Sequence, residues 1–200
     1  MMTAVFAIGL YAFSMSITPG PTNVILLSTG VRYGFLKAIP FASGGAIGFS
    51  ILNFMIAVGL GEFAQGNDIF LNFLSYGGAA FICYMGYKIA TAPTALEVKE
   101  DGNTDMGPPG FISGMIVQWL SPKSWIASIA GVGAFVTAGD FQDVIVYVTI
   151  YISVGFCSIL PWAYAGSKIS RFLADPRNMQ IFNLTMGGGL ILIAGYLITV

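Results

Sequence analysis

The sequence Ser16-Ile17-Thr18-Pro19-Gly20-Pro21-Thr22-Asn23 interrupts the first long apolar segment of the chain. Each proline removes a backbone hydrogen-bond donor and clashes with the preceding helical turn, so a regular α-helix cannot continue through residues 19–21. Inside a bilayer, backbone groups freed in this way are tolerated only where protein or a water-filled cavity satisfies them. The stretch therefore predicts a helix broken at a cavity, provided that the segment lies in a membrane.

The composition indicates that it does. Of the 200 residues, 56% are hydrophobic, 8% are charged and 26 are glycine. A soluble domain carries roughly 25% charged residues, and glycine is more frequent in transmembrane helices than in soluble ones. These values favour an all-α integral membrane protein with the lipid bilayer as its solvent, and they argue against a water-soluble enzyme or binding module.

Several kinds of chemistry are excluded by what the sequence lacks. It contains no histidine, and its two cysteines, Cys83 and Cys157, stand alone in apolar stretches. That leaves no His/Cys metal site, no Ser-His-Asp or Cys-His catalysis and no paired carboxylates for a membrane-embedded enzyme. The net charge of −1 provides no basic patch for nucleic acid. We expect no enzyme activity, no metal and no cofactor, and we expect both cysteines to be buried and unreactive.

The gaps between charged residues locate the membrane spans, because about 20 apolar residues are needed to cross the hydrocarbon core. Five segments are free of charge, and a sixth, residues 106–139, contains Lys123 alone. The sequence thus predicts six transmembrane helices, near residues 2–27, 37–61, 69–91, 111–137, 143–166 and 178–199.

A polar stretch divides these helices into two groups of three. Residues 92–110 contain three prolines, three glycines and a mixed charge run, which is typical of a flexible linker. Because three is odd, residues 1–91 and 111–200 would lie in the bilayer with opposite orientations. This is the inverted-repeat architecture of many secondary transporters, here within a single transmembrane domain of residues 1–200.

The second repeat opens with its own interruption, Gln118-Trp119-Leu120-Ser121-Pro122-Lys123. Corresponding breaks in the first helix of both halves are the best sequence indication of a binding site near the bilayer midplane. A plain kink is the alternative, and it suits the single Pro122 better than the Pro-Gly-Pro run. We expect the substrate site to be formed by Thr18, Pro19, Gly20, Pro21, Thr22, Asn23, Gln118, Ser121, Pro122 and Lys123.

Lys123 is the most costly residue of the apolar segments, since insertion scales give a mid-helix lysine roughly +2.5 to +3.5 kcal/mol. Such residues face a bundle interior or a wet cavity and usually mark function. Snorkelling to the interface is the alternative, and the uncharged residues on both sides argue against it. The ammonium is suited to binding a substrate carboxylate or to exchanging a proton during transport.

Basic residues predict the orientation of the chain. Seven of the eight lie in the odd-numbered connections, Arg32 and Lys37 in the first among them. By the positive-inside rule these connections are cytoplasmic, so both termini are expected in the periplasm. The first segment lacks a basic n-region and is too long for a signal peptide, so we expect it to be retained.

Other small and polar residues have plainer explanations. Gly30/Gly34, Gly44/Gly48 and Gly187-Gly188-Gly189 form small-residue faces, which predict close helix packing and permit a homodimer. Four polar side chains are suited either to lining a cavity or to hydrogen bonding and anchoring within the bundle: Asn53, Tyr84, Trp162 and Asn183.

Together these stretches resemble a known family. Thr18-Pro19-Gly20-Pro21-Thr22-Asn23, followed by Gly30-Val-Arg-Tyr-Gly34 and Gly44-Gly45-Ala46-Ile47-Gly48, is similar to the N-terminal signature of the lysine exporter (LysE/RhtB) family of amino-acid translocators. Tyr76 to Lys88 resembles its third-helix pattern. Gln118 to Trp125 resembles the motif that opens its second half, usually Asn-Pro-Lys, with Ser121 in place of the asparagine.

The resemblance covers essentially the whole chain. It implies a transporter of a bacterial cytoplasmic membrane that exports amino acids or close derivatives, driven by the proton gradient. Lys88-Ile-Ala-Thr-Ala-Pro93 also resembles the branch that exports cysteine and O-acetylserine. The alternative from a different class of transport is a passive channel or an uptake carrier for small metabolites.

Overall fold

The computed structural model of the chain describes residues 2–60, 68–94, 107–137 and 139–199, which form helices and no strand. Most of the predicted linker, residues 92–110, lies outside these residues. A π-helical turn, Ile56–Leu60, follows the third helix, and a short 3-10 turn, Phe172–Ala174, precedes the last. The helices are α1 Met2–Ile17, α2 Pro21–Tyr33, α3 Phe35–Met55, α4 Asp68–Ala90, α5 Phe111–Trp119, α6 Pro122–Phe135, α7 Phe141–Ile169 and α8 Pro176–Thr199.

Length and apolarity identify several of these helices as membrane spans. Phe35–Gly59, Phe141–Ile169 and Pro176–Tyr196 are each long and apolar enough to cross a bilayer. The pair α1 and α2, bent by 63°, makes a fourth span if it is counted as one. The all-α membrane class is therefore confirmed, and the full arrangement of six spans stays a prediction that includes α4 and the pair α5 and α6.

Both predicted helix breaks are present in the backbone. Between α1 and α2, Gly20 is extended (φ −168°, ψ 178°) and Pro21 begins the new helix. Between α5 and α6, Ser121 is extended (φ −92°, ψ 113°) and Pro122 begins the new helix. Proline suits the first helical position because its missing N–H has no partner there in any case. The two breaks thus have the same local construction.

Apart from the two breaks, the described helix ends lie at two opposite faces of the bundle. On one face, the end of α2 meets the segment after α4, where the Arg32 guanidinium donates to the Pro93 carbonyl oxygen at 2.7 Å. Val31 packs there against Leu173 and Met179, which flank the connection into α8. On the other face, where α1 begins, the Phe54 and Phe141 rings lie 6.3 Å apart. We call the second of these the N-terminal face and the first the opposite face.

Glycines let the helices pack closely. At Gly30, Gly44, Gly48 and Gly187, backbone of a neighbouring helix occupies the space that a Cβ atom would need. These contacts join α2 to α7, α3 to α5 and α4 to α8, as the sequence predicts for small-residue faces. The same prediction is wrong for Gly188 and Gly189, which have nothing within 4 Å, and for Gly34, whose φ of 83° forms the turn between α2 and α3.

The prediction that both cysteines are buried is also wrong. The side chains of Cys83 and Cys157 are exposed on the surface of α4 and α7. An apolar neighbourhood in the sequence indicates burial only where the solvent is water. In a bilayer, apolar side chains also cover the surface that faces lipid.

Candidate functional site

The two helix breaks meet at one cavity of about 70 Å³. A water molecule needs roughly 10–15 Å³ on this measure, so the cavity holds about five groups of that size. Its walls come from the end of α1, the start of α2, the middle of α3, both sides of the α5–α6 break and the middle of α7. Both halves of the chain therefore contribute to the same small site.

The first break exposes backbone carbonyl groups to this cavity. Because α1 ends at Ile17, the carbonyl oxygens of its last turn lack the helical donors that a continuous helix would provide. The Asn23 side chain replaces them, since its amide nitrogen donates to the carbonyl oxygens of Ser16 at 3.0 Å and Thr18 at 2.8 Å. Asn23 is 3% exposed. It ties the end of α1 to the first turn of α2 and so holds the break in shape.

Lys123 reaches this break from the other half of the chain. Its ammonium nitrogen donates to the Thr18 carbonyl oxygen at 3.1 Å, across 105 residues of sequence. Gly20 makes room for it, because a Cβ atom at residue 20 would lie 3.3 Å from the Lys123 nitrogen. The ammonium is directed into the cavity between the two breaks, and the side chain does not extend along α6 toward a membrane surface.

Hydrogen bonds among side chains and backbone brace the second break. The Ser124 hydroxyl donates to the Gln118 side-chain oxygen at 2.6 Å, which links α6 to α5. The Trp125 indole donates to the Trp119 carbonyl oxygen at 2.8 Å. The Trp119 indole in turn donates to the Gly48 carbonyl oxygen on α3 at 3.0 Å. These bonds fix the orientation of α6, and with it the position of Lys123.

The charge of the cavity is one-sided. Lys123 is the one cation among the described residues that line it, and none of those residues is acidic. No side chain caps the first turn of α2, so the partial positive charge of that helix end also faces the cavity. The site is therefore suited to an anionic group, and its hydroxyl and amide side chains are suited to further polar groups.

Eight of the ten residues that the sequence predicts for the site line the cavity: Thr18, Gly20, Pro21, Thr22, Asn23, Gln118, Ser121 and Lys123. Pro19 and Pro122 do not, because each shapes the break without facing the space. Of the four uncertain polar residues, Tyr84 and Asn183 line a different cavity. Asn53 and Trp162 are enclosed in the bundle, with side-chain polar atoms that have no hydrogen-bond partner among the described residues.

Other lining residues were not predicted from the sequence. Ser124 follows Ser121 by about one helical turn, so helical spacing alone was sufficient to find it. Of the remaining residues, Ser16, Gly45 and Ala46 lie within quoted motifs but were not assigned to the site, and the others come from apolar stretches of helices that enter the site only through the fold. The remaining residues are Met15, Ser16, Gly45, Ala46, Phe49, Ala127, Tyr151, Gly155, Phe156 and Ile159.

A second and larger cavity, of about 650 Å³, opens toward the opposite face. It lies between α2, α4 and the start of α5, and Arg32 and Lys88 line it. Ile25 on α2 also lines it, two residues after Asn23 of the smaller site. The two cavities are thus adjacent along α2.

Comparison with known proteins gives a consistent result. The family model described as LysE type translocator matches residues 13–200. A Salmonella typhimurium (strain LT2) protein named cysteine/O-acetylserine efflux protein is 28% identical over 163 residues, covering 80% of this chain and 81% of that protein. The protein of the same name in Escherichia coli (strain K12) is 28% identical over 171 residues, covering 84% and 85%. No solved structure matches the chain. With nearly its whole length matched by the family model, this chain belongs to the LysE type translocator family.

Proposed function

We propose that the protein is a secondary transporter that exports small neutral amino acids or close derivatives from a bacterial cytoplasm. The observation that carries the proposal is the cavity at which both helix breaks meet, with the Lys123 ammonium between them. A broken helix pair around a charged group is the construction that secondary transporters use for polar substrates. Membership of a translocator family, and relatives named as efflux proteins, support the direction of transport.

The size and charge of the cavity favour a small substrate with an uncharged side chain. Its volume of about 70 Å³ is far below the 300–1,000 Å³ typical of drug-sized ligands. No described lining residue offers a negative charge to a lysine-like or arginine-like side chain. Short polar groups, in contrast, find hydroxyl partners at Ser16, Thr22 and Ser124. Relatives named cysteine/O-acetylserine efflux proteins fit this class.

The substrate carboxylate binds Lys123 and the free amides at the start of α2 in this proposal. Binding there takes the ammonium away from the Thr18 carbonyl oxygen, which it contacts at 3.1 Å. The freed oxygen, together with Gln118 and Ser121, then accepts hydrogen bonds from the substrate α-ammonium. Lys123 thus exchanges a backbone partner for the substrate, which avoids leaving a buried charge unpaired in either state.

The packing of the helices supports two inverted repeats that move against each other. If α1 with α2 corresponds to α5 with α6, then α3 corresponds to α7 and α4 to α8. Under that exchange, the packing of α1 on α7 becomes the packing of α5 on α3, and the α4–α8 pair maps onto itself, whereas the extensive packing of α2 on α7 has only a slight counterpart between α6 and α3. Rocking of such repeats about a shared site exposes it alternately to the two sides of the membrane.

Charge distribution supports an orientation with the opposite face in the cytoplasm and both termini in the periplasm. Arg32, Lys88 and Lys168 lie near connections on that face, which the positive-inside rule places in the cytoplasm. The large cavity beside Arg32 and Lys88 then opens toward the cytoplasm, and serves as the entrance through which a carboxylate-bearing substrate approaches the site.

Lys123 is also the candidate group for coupling export to protons. Lys123 is suited either to holding the substrate carboxylate or to carrying the exchanged proton. One variant distinguishes these two roles. Lys123→Arg keeps a permanent positive charge. If Lys123 only binds, the variant still exports in response to a proton gradient. If Lys123 carries the proton, the variant binds substrate but loses the response to the gradient.

Two experiments test the function itself. In cells that overexpress the chain, we expect cysteine or O-acetylserine to accumulate in the medium, and an unchanged profile of all amino acids and derivatives would contradict export. In proteoliposomes, we expect a proton gradient to accelerate transport. Equal rates with and without the gradient would instead indicate a passive channel, and net accumulation toward the cytoplasmic side would indicate an uptake carrier.

A further inference from the structure

Three fully buried polar side chains lie between the site and the N-terminal face. Asn53 on α3, Ser128 on α6 and Tyr147 on α7 are each 0% exposed. The amide nitrogen and oxygen of Asn53 and the hydroxyls of Ser128 and Tyr147 have no hydrogen-bond partner among the described residues. Buried polar groups without partners are rare in proteins, and each one destabilises the state in which it occurs. The site described above uses none of the three.

These side chains continue the polar surface of the site, one helical turn at a time. Ser121, just before α6, and Ser124 on α6 line the cavity, and Ser128 follows on the same face. On α7, Tyr151 lines the cavity and Tyr147 lies one turn further toward the N-terminal face, with ring centroids 5.7 Å apart. The polar side chains of α6 and α7 approach each other at Gly131 on α6, where the Tyr147 hydroxyl occupies the space that a Cβ atom would need.

The third helix contributes in the same way. Phe49 on α3 lines the cavity, and its ring lies 4.8 Å from that of Tyr151. Asn53 follows Phe49 by about one turn in the direction of the N-terminal face. The helices α3, α6 and α7 therefore each carry a buried polar side chain about one turn beyond the site, on the side of the N-terminal face.

Aromatic side chains pack together on the side of these polar groups that leads to the N-terminal face. The rings of Tyr11 and Phe135 lie 5.6 Å apart, and the ring of Phe135 stacks on that of Tyr147 at 6.2 Å. The Tyr11 hydroxyl donates to the Ala127 carbonyl oxygen at 2.8 Å, which ties α1 to α6 across the cluster. The Tyr11 ring and the Tyr147 hydroxyl both lie beside Gly131, where the Tyr147 hydroxyl has no hydrogen-bond partner among the described residues.

A role limited to packing does not explain polar residues here, since phenylalanine, alanine or leucine would fill the same space without an unpaired group. A second conformation does explain them. If the aromatic cluster separates, water and a polar substrate supply the missing hydrogen bonds, so the polar side chains stabilise the separated state relative to the closed one.

We propose that Asn53, Ser128 and Tyr147 line the route by which the substrate leaves the site toward the N-terminal face, and that the cluster of Tyr11, Phe135 and Tyr147 is its closed gate. This inference rests on the proposed export function for the identity of the substrate and for the direction of the route. The ligand that passes is a small zwitterion, which needs hydrogen-bonding groups along its path.

Cysteine labelling tests the route directly. The parent variant carries Cys83→Ser and Cys157→Ser, and Ser128→Cys is added to it. We expect a charged, membrane-impermeant methanethiosulfonate applied outside intact cells to label this cysteine, and O-acetylserine, which has no thiol to consume the reagent, to raise the labelling rate about tenfold as transport populates the open state. The matched control is Ile126→Cys on the lipid-facing side of the same helix, at 67% exposure, where we expect no labelling.

Labelling of Ser128→Cys no faster than of Ile126→Cys would overturn the route. The same labelling does not depend on export, so the two proposals fail separately. If the parent variant exports substrate and the Ser128→Cys variant is not labelled, the route is rejected and the export function stands. If the Ser128→Cys variant is labelled although the parent variant exports no amino acid, the route is supported and the proposed substrate is rejected.

A second pair of variants tests the unpaired hydroxyl. Tyr147→Phe removes only that hydroxyl, so we expect a higher Tm, unchanged substrate Kd and export slowed about threefold or more, because the closed state becomes more populated. Tyr11→Phe removes a hydroxyl that has a partner, so we expect a lower Tm. A Tyr147→Phe protein that exports at the parental rate would contradict the gate, since a purely structural role alters stability and leaves the rate unchanged.

Discussion

The two helix breaks have the same backbone construction and contribute opposite chemistry. Each begins its second helix with a proline after an extended residue, Gly20 before Pro21 and Ser121 before Pro122. The first break supplies backbone acceptors, the carbonyl oxygens of Ser16 and Thr18. The second supplies the charged donor, Lys123. Two breaks can therefore share a backbone design while their side chains differ and form one asymmetric site.

The two breaks also depend on each other. The acceptors of the first break are satisfied from within by Asn23 and from the other half by Lys123. The second break is braced internally by Ser124 and Gln118. We therefore expect substitutions at the shared contact to affect transport most, and substitutions within one break to affect it less.

The largest effect is expected for Lys123→Met, which removes the hydrogen bond that the second break donates to the first. Loss of one partner of a buried charged pair costs about 2–5 kcal/mol, so we expect substrate affinity to fall about a hundredfold. Binding to the purified protein measures it. Lys168→Met is the control, because that ammonium lies over the Tyr164 ring, at 5.0 Å from its centroid, and does not line the cavity. Equal affinity in both variants would show that the breaks do not act through this contact.

A smaller effect is expected for Asn23→Leu, which leaves the first break without its internal donor. The carbonyl oxygens of Ser16 and Thr18 then each lose a hydrogen bond in a part-buried position, at a cost of about 1–3 kcal/mol. We expect a lower Tm together with export reduced about tenfold. Asn183→Leu removes a similar bond, to the Ala92 carbonyl oxygen at 3.0 Å, outside the small cavity. That control should lower the Tm and leave substrate affinity intact; a parallel loss of affinity would argue against a specific role for Asn23.

Gly20→Ala tests the room that the first break leaves for Lys123. The extended backbone at residue 20 accepts alanine, and the added Cβ lies 3.3 Å from the flexible end of the lysine. The ammonium has to shift by a few tenths of an ångström, so we expect substrate Kd to rise about threefold to fivefold through a weakened charged hydrogen bond. Gly188→Ala, in open space on α8, should change nothing. An unchanged Kd for Gly20→Ala would mean that the lysine is not confined there.

The smallest effect is expected within the second break. Ser124→Ala removes the bond to Gln118, which is worth about 1 kcal/mol, so export should fall no more than about fivefold. Ser153→Ala removes a hydroxyl that bonds within its own helix on an exposed surface, and we expect no change in export. If Ser124→Ala impaired export as much as Lys123→Met does, the expected order of effects would be wrong. The hydrogen bond within the second break would then be the main determinant of the site.

The sequence was sufficient for the breaks and for most of the residues around them. Proline chemistry locates Pro21 and Pro122, and a costly charge in an apolar segment singles out Lys123. The partner of that charge was not predictable, because the contact with Thr18 depends on how two halves of the chain pack. Tyr151 and Gly155 were missed for the same reason, since α7 enters the site through its packing and carries no motif. The cysteines were misassigned because apolar residues face lipid as well as the interior.

The most direct test is a structure of the protein with bound cysteine or O-acetylserine. The account predicts the substrate in the cavity between the two breaks, with its carboxylate at the Lys123 ammonium and its α-ammonium at the carbonyl oxygen of Thr18. A substrate bound elsewhere, for example beside Arg32 and Lys88 in the larger cavity, with Lys123 still bonded to Thr18, would contradict the central claim.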